Sequence, residues 1–119
     1  MTDQMESAST IEQLGDTYVV TARGEIDAFT VPALRLDLQG LAEDDAAAVL
    51  VIDLFAVTFL DSSGLGALVG ALRRIRERGG SLRIVRPQTP AARIFELTGL
   101  DTVLDLYSTR DAALSAETV

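Results

Sequence analysis

The sequence of 119 residues contains no cysteine, no histidine and no lysine, and these absences exclude much chemistry. Without cysteine there is no disulfide framework and no thiolate nucleophile or metal ligand. Without histidine there is no Ser-His-Asp triad and no imidazole ligand, and without lysine there is no Walker-type phosphate loop, Schiff base or Ser-Lys dyad. An enzyme built from this sequence would have to work with carboxylates, arginine, tyrosine and hydroxyl groups. We expect a protein that is not an enzyme, with no catalytic residues, no cofactor and no metal.

Long apolar runs are also absent. No run reaches the roughly 18 residues of a membrane span, and the first ten residues are polar and lack the apolar core of a secretory signal. We expect a cytoplasmic protein without a membrane partner. A chain of this length is typical of one domain, which we place at residues 11–115, between a flexible N-terminus at 1–10 and a tail at 116–119.

Positive charge is scarce. The net charge is −8, with 18 acidic residues against ten arginines, and an acidic surface argues against a nucleic-acid partner. Four arginines, Arg73, Arg74, Arg76 and Arg78, do cluster. They fall in the last turns of a predicted helix, where cations complement the helix dipole, and we favour this structural interpretation over a phosphate-binding patch.

The hydrophobic pattern alternates between strands and helices, which predicts an α/β fold with a mostly parallel sheet and short connections. Residues 46–55 are almost continuously apolar, as in a strand buried on both faces. A helix capped by Thr30 has proline in its first turn, and the next helix ends at Gly79-Gly80. Gly24 is expected to break a strand, and a loop is expected at 56–61. The predicted strands are 9–14, 17–23, 46–55, 81–86 and 102–106, and the predicted helices begin near residues 31, 64, 90 and 110.

The segment FLDSSGLG, residues 59–66, joins the central strand to the second helix. Ser62 or Ser63 is expected to cap this helix, with a stabilisation of about 1 kcal/mol. A cap explains one serine, but it does not explain Gly64 and Gly66, because each glycine costs about 1 kcal/mol in a helix relative to alanine.

Gly66 and Gly70 lie four residues apart, on the side of the helix opposite its leucine stripe. Their spacing has two interpretations. The glycines either permit tight packing against another element of the domain, or they form a flat exposed face that a partner's backbone can approach closely. Spacing alone does not decide between them.

Two nucleotide or phosphate chemistries are disfavoured. The series Gly64, Gly66 and Gly70 loosely resembles the dinucleotide fingerprint, but about nine residues separate it from the predicted strand end, and Arg86 rather than an acid ends the next strand. Asp53 ends a buried strand, like the phosphoacceptor of receiver domains, but the lysine that those domains use is absent. We expect Asp53 to accept backbone N–H groups of the following loop.

Phosphorylation of a serine remains as a third chemistry for this segment. A phosphate adds about −1.5 to −2 charges, and a helix N-terminus can hold it without disturbing the fold. Asp61 would repel the phosphate, and so the modification would act at the surface. Such a serine would be a reversible switch on a binding face.

Three segments together resemble the anti-sigma factor antagonists, the bacterial single-domain STAS proteins. They are GEID at 24–27, VIDLFAVTFLDSSGLGALV at 51–69 and ELTGLDTVL at 96–104, and the similarity extends over about residues 10–115. The resemblance implies a STAS-type mixed sheet with helices packed mainly on one side. It also implies partner switching, in which the unphosphorylated antagonist binds an anti-sigma factor and thereby frees a sigma factor for transcription.

The resemblance further implies the partners and the site. The anti-sigma factor would also be the serine kinase, a PP2C-type phosphatase would reverse the reaction, and the antagonist would be a monomer or weak dimer acting in stress response or sporulation. An alternative is a STAS scaffold or sensory module of a stress-signalling assembly, and a further alternative is a small nucleotide-binding domain. Carried over by position, the phosphorylation site is Ser62, and the partner-binding residues are Asp27, Asp61, Ser62, Ser63, Gly64, Leu65 and Gly66.

Overall fold

The computed structural model describes residues 9–116, so the expectations for residues 1–8 and 117–119 lie outside the described part of the chain. Strands and helices alternate after an initial hairpin. The elements are β1 (Thr10–Leu14), β2 (Thr17–Ile26), α1 (Val31–Ala42), β3 (Val49–Leu60), α2 (Ser62–Glu77), β4 (Ser81–Val85), α3 (Arg93–Leu97), β5 (Leu106–Tyr107) and α4 (Arg110–Ser115).

The strands form one mixed sheet in the order β1-β2-β3-β4-β5. β1 and β2 are antiparallel, and the other neighbours are parallel. The antiparallel pair turns at Gly15, whose φ of 66° lies in the left-handed region that glycine adopts without a steric cost. The predicted α/β class and the mixed, mostly parallel sheet are therefore confirmed.

The helices pack mainly on one face of the sheet, as predicted. Alternate strand residues such as Leu50 and Ile52 join the core beneath α1, α2 and α3, with Leu38, Leu68 and Phe95 contributed by the helices. The opposite face is covered by α4, where Ala113 packs in a smaller cluster on the valines of the central strands. β3 lies in the middle of the sheet and is buried from both sides, which explains its continuous apolar sequence.

Two strands are longer than predicted. β2 does not break at Gly24: this residue has a φ of 75°, and the strand continues to Ile26 with two shifts in its register against β3. Residues 56–60 of the loop expected at 56–61 are instead the last part of β3, which pairs with β2 as far as Leu60 opposite Ile26. Pairing across the sheet extends both strands beyond the local pattern of the sequence.

The last third of the chain is less regular than predicted. The strand expected at 102–106 is limited to Leu106–Tyr107, because residues 100–102 form a 3₁₀ turn. Thr89 caps the preceding 3₁₀ turn as expected, since its hydroxyl accepts a hydrogen bond from the N–H of Ala91 at 3.2 Å. Gly99 follows α3 in the left-handed region, also as expected.

Two of the four clustered arginines at the end of α2 have structural partners. Arg78 donates from Nε to the carbonyl of Ala42 at 2.6 Å and from Nη2 to the carbonyl of Ala47 at 2.6 Å, which ties the end of α2 to the end of α1. Arg74 pairs with Glu43 at 3.5 Å. These contacts agree with the structural interpretation of the cluster.

Candidate functional site

The site forms where the neighbouring parallel strands β2 and β3 end. Ile26 and Leu60 are paired at the last register position, and the N–H of Asp61 donates to the carbonyl of Ile26 at 3.3 Å. Asp27 and Asp61 are therefore the first residues after two adjacent strands. Asp27 and the DSSG segment therefore lie at the same edge of the sheet, and the partner-binding role of Asp27 stays a prediction.

Asp61, and neither serine, caps α2. Its carboxylate Oδ1 accepts from the N–H of Ser63 at 2.9 Å and from that of Gly64 at 3.4 Å. The helix begins at Ser62, two residues before its predicted start. The prediction that Ser62 or Ser63 is the cap was wrong because β3 is longer than predicted, which moves the start of the helix back to the residue after Asp61.

Asp27 organises the loop that precedes α1 in a similar way. Its Oδ1 accepts from the N–H of Phe29 at 2.9 Å and from that of Thr30 at 3.1 Å. Thr30 was predicted to cap α1, but its side chain makes no cap hydrogen bond to that helix. The Thr30 hydroxyl instead accepts from the N–H of Asp27 and donates to the carbonyl of Glu25, each at 2.9 Å, so it closes the loop.

Ser62 is exposed at the first position of α2, and its hydroxyl makes no hydrogen bond to any residue in the described range 9–116. Ser63 is half-buried beside it. The carbonyl of Ser63 accepts a hydrogen bond of 3.4 Å from Nη2 of Arg35 on α1. Among residues 9–116, Arg35 contacts this turn through the backbone, and the Ser62 hydroxyl stays accessible.

The first turn of α2 has a buried side and an open side. Gly64 and Leu65 are buried, although both were predicted to lie on the contact face, and a Cβ at Gly64 would stand 2.9 Å from Ile26 and closer still to Leu60. Both residues therefore pack within the chain, and their contact with a partner stays a prediction. A Cβ at Gly66 would meet no atom within 4 Å, and one at Gly70 would meet only the end of the Arg74 side chain at 3.5 Å. Neither glycine therefore packs tightly against another described element, which favours the open-face interpretation.

Several large apolar side chains are exposed, which the hydrophobic pattern of the sequence did not predict. Phe29 is 90% exposed in the Asp27 loop, and Leu36 is 72% exposed on α1. On the other side, Phe59 at the end of β3 lines an open groove with Leu97 of α3, which is 78% exposed. An aromatic residue inside a polar turn, as in the stretch DAFT, was the one signal in the sequence that pointed to such a surface.

Asp53 does not belong to this site. It is buried, and its Oδ1 accepts from the N–H of Phe55 at 2.9 Å, as predicted. Its other oxygen, Oδ2, accepts from Nε of Arg110 at 3.0 Å. Both oxygens are thus engaged in the fold, which agrees with rejecting Asp53 as a phosphoacceptor.

One objection to a dinucleotide site was wrong. β3 ends at Leu60 and α2 begins at Ser62, so the strand and the glycines are not separated by nine residues. The site is nevertheless unsuited to a pyrophosphate, because the Asp61 carboxylate occupies the N–H groups that a phosphate would use. Among residues 9–116 no group of three acidic side chains could hold a metal, and no helix is long and apolar enough to cross a membrane.

Comparison of the sequence with known proteins gives a consistent result. The family model of the STAS domain matches residues 8–113. An anti-sigma-B factor antagonist of Bacillus subtilis is 36% identical over 96 residues, which cover 81% of this chain and 86% of that protein. The anti-sigma-B factor antagonist of Listeria monocytogenes is 37% identical over 91 residues, which cover 76% and 79%.

Solved structures give the same result. An anti-sigma factor antagonist from Mycobacterium paratuberculosis superimposes with a TM-score of 0.83 at 35% identity, covering 97% of each chain. The phosphorylated form of SpoIIAA, a Bacillus cell fate determinant, superimposes with a TM-score of 0.70 at 25% identity, covering 90% of this chain and 96% of that one.

Proposed function

This chain belongs to the STAS domain family, among the anti-sigma factor antagonists, and from that premise we propose that it binds an anti-sigma factor and so releases a sigma factor. Phosphorylation of Ser62 ends the binding. The observation that carries the proposal is the exposed Ser62 hydroxyl, free of hydrogen bonds to the described residues and next to the acid that caps α2.

The surface around Ser62 is suited to a protein partner. Phe29 supplies an exposed aromatic anchor, a residue type enriched at the centre of interfaces. Gly66 has no Cβ and no neighbour above it, so a partner's backbone can approach α2 closely. Asp27, Asp61 and Ser63 complete the proposed contact face, whose acidic groups favour a partner with basic residues opposite them.

Phosphorylation would change this face without disturbing the core. The γ-phosphoryl group of ATP is transferred to Oγ of Ser62, the hydroxyl loses its proton, and ADP leaves. The product carries about −1.5 to −2 added charges in a surface that already contains Asp61 and Asp27. A partner that fits the neutral hydroxyl then meets added bulk and negative charge that it must desolvate, and it dissociates.

The chain is the substrate in this cycle rather than the catalyst, in agreement with the regulatory character of its family. The kinase we propose is the anti-sigma factor itself, and a PP2C-type phosphatase would hydrolyse the phosphoserine with water to restore the hydroxyl. Neither enzyme needs a group from this chain other than Ser62 and the surface around it. We propose that the antagonist acts in the cytoplasm as a monomer or weak dimer.

Substitution of Ser62 tests the proposal. Ser62→Ala is expected to retain the fold and to bind the anti-sigma factor whether or not ATP is present, because no phosphate can be added. Ser62→Asp is expected to weaken binding at least tenfold, about 1.4 kcal/mol. Isothermal titration of the purified anti-sigma factor measures both affinities, and mass spectrometry after incubation with ATP locates the phosphate.

The control is Ala46→Asp, which adds the same charge at an exposed position before the opposite end of β3. This variant is expected to bind like the wild type. The proposal fails if the kinase leaves Ser62 unmodified and Ser62→Asp binds as tightly as the wild type does.

A further inference from the structure

Arg35 contacts the residue that follows Ser62, and no carboxylate among residues 9–116 forms a salt bridge with it. It is exposed on α1, and within residues 9–116 its one polar contact is the bond of 3.4 Å from Nη2 to the carbonyl of Ser63. A bond of that length at an exposed position is weak and readily exchanged. The guanidinium is therefore held at the residue next to Ser62 and is available to another acceptor.

The backbone donors beside a phosphate on Ser62 are already occupied. Asp61 already accepts from the N–H groups of Ser63 and Gly64, which a phosphate at a helix start would otherwise use. Asp61 and Asp27 also repel it. The next arginine along α2 is Arg73, eleven residues further, which at 1.5 Å per residue is about 16 Å away and beyond the Debye length of about 8 Å at physiological salt.

We propose that Arg35 is the residue that receives the phosphoryl group of phosphorylated Ser62. The guanidinium leaves the Ser63 carbonyl and pairs with two phosphate oxygens. Its planar arrangement of N–H donors matches this bidentate geometry. The inference rests on the proposed phosphorylation of Ser62 and deepens it. The phosphoryl group both adds negative charge to the face and removes a free positive charge from it.

This pairing has two consequences for the switch. It offsets the repulsion between the phosphate and Asp61, so the phosphorylated chain keeps its stability. It also withdraws Arg35 from any acceptor on the anti-sigma factor, so the two forms of the antagonist differ in two charged groups. A single phosphate thereby changes the face more than its own charge does.

The test uses the full chain with phosphoserine incorporated at position 62 during translation, which makes it independent of any kinase. Phosphorus NMR follows the second pKa of the phosphate, which is about 6 in an unpaired phosphoserine. In low salt that pKa is expected to be about half a unit higher in Arg35→Gln than in the parent chain, because the paired cation favours the dianion. In 1 M salt, where the Debye length is about 3 Å, the difference is expected to shrink.

The matched control is Arg73→Gln, which removes the same charge from the far end of α2 and is expected to leave the phosphate pKa unchanged. Equal values in the parent chain and in Arg35→Gln overturn the inference, as does an equal rise in both variants, since that would report net charge only. The proposed function is tested separately with the same protein. If the phosphoserine chain binds the anti-sigma factor like the unmodified one, the switch fails, whatever the role of Arg35.

Discussion

At the residue scale, Asp61 and Ser62 perform different tasks at the start of α2. The Asp61 carboxylate accepts the first N–H groups of the helix, whereas the Ser62 hydroxyl is left to the solvent. Because the cap does not involve a serine, Ser62 can be modified without removing a bond that holds the helix in place. A switch residue beside a separate cap is compatible with repeated phosphorylation and dephosphorylation of a stable fold.

The division of tasks predicts unequal costs of substitution. Asp61→Ala is expected to lower the free energy of unfolding by about 1 kcal/mol, because two N–H groups lose their acceptor. Asp61→Asn is expected to cost much less, since asparagine caps helices about as well as aspartate. Ser62→Ala is the control and is expected to stay within about 0.5 kcal/mol of the wild type. Urea denaturation measures all three, and an equal loss in Ser62→Ala would contradict the assignment of the cap.

The identity of the cap was beyond sequence reasoning for a physical reason. Aspartate and serine have nearly equal preference for the N-cap position, so the segment DSSG contains three acceptable caps in a row. The end of β3 decides which of the three residues caps the helix. The position of that end depends on the pairing of β3 with β2 as far as Leu60. That the motif acts at the surface, in contrast, was predicted from the charge of Asp61 beside the serines.

At the scale of the element, α2 combines a packed side and an open side within its first turn. Gly64 faces Ile26 and Leu60 at the ends of the two strands, where there is no space for a methyl group. Gly66 has open space above it. Gly64 and Gly66 therefore have different structural roles. Gly64 permits close packing of the helix on the sheet, and Gly66 keeps the outer surface flat.

The difference predicts opposite effects of the same substitution. Gly64→Ala is expected to destabilise the fold by about 1–3 kcal/mol, because the added methyl group overpacks the contact with Leu60. Gly66→Ala is expected to stabilise it by about 0.5–1 kcal/mol, because alanine is the better helix former at an exposed position. Thermal or urea denaturation measures the stability of both variants, and each variant is the control for the other. Effects of the same sign would show that the two positions share one environment.

The central elements α2 and β3 were predictable because the spacing of their apolar residues indicates which faces are buried. The leucine stripe of α2 and the apolar run of β3 are strong signals, and both elements are present. The last five residues of β3 were not predictable, because they pair with β2 alone while β4 has already ended at Val85. Strand length at such a position is decided by a neighbour that is distant in the sequence.

At the scale of the whole molecule, α4 is the helix that covers the second face of the sheet. It has six residues and buries only Ala113 completely. Two arginines hold it in place. Arg83 of β4 donates from Nη1 to the carbonyl of Ala113 at 2.9 Å, and Arg110 at the start of α4 reaches Asp53, Glu12 and Thr21 on three different strands.

This arrangement could not be predicted from the sequence. Arg110 and Asp53 are 57 residues apart, and Arg110 and Glu12 are 98 apart. A buried carboxylate needs a partner, and so the burial of Asp53 predicted that it would be hydrogen-bonded. The sequence offered ten arginines as possible partners, and the fold alone selects the one at the start of the last helix.

The Arg110 contacts lead to a prediction about the stability of the whole domain. The hydrogen bond to Asp53 is the main reason that the pKa of Arg110 is raised above its ordinary value. A base with a raised pKa stabilises the fold below its unfolded pKa and loses that effect only as the pH rises through the folded value, so the contribution is constant at neutral and moderately alkaline pH. Arg110→Gln is expected to lower the free energy of unfolding by about 2 kcal/mol, since it leaves a buried carboxylate with one partner fewer.

The control is Arg86→Gln, which breaks an exposed pair with Glu96 at 3.7 Å and is expected to cost less than about 1 kcal/mol. Urea denaturation between pH 7 and 9 measures both variants, and equal costs would show that the Arg110 contacts do not hold α4 in place.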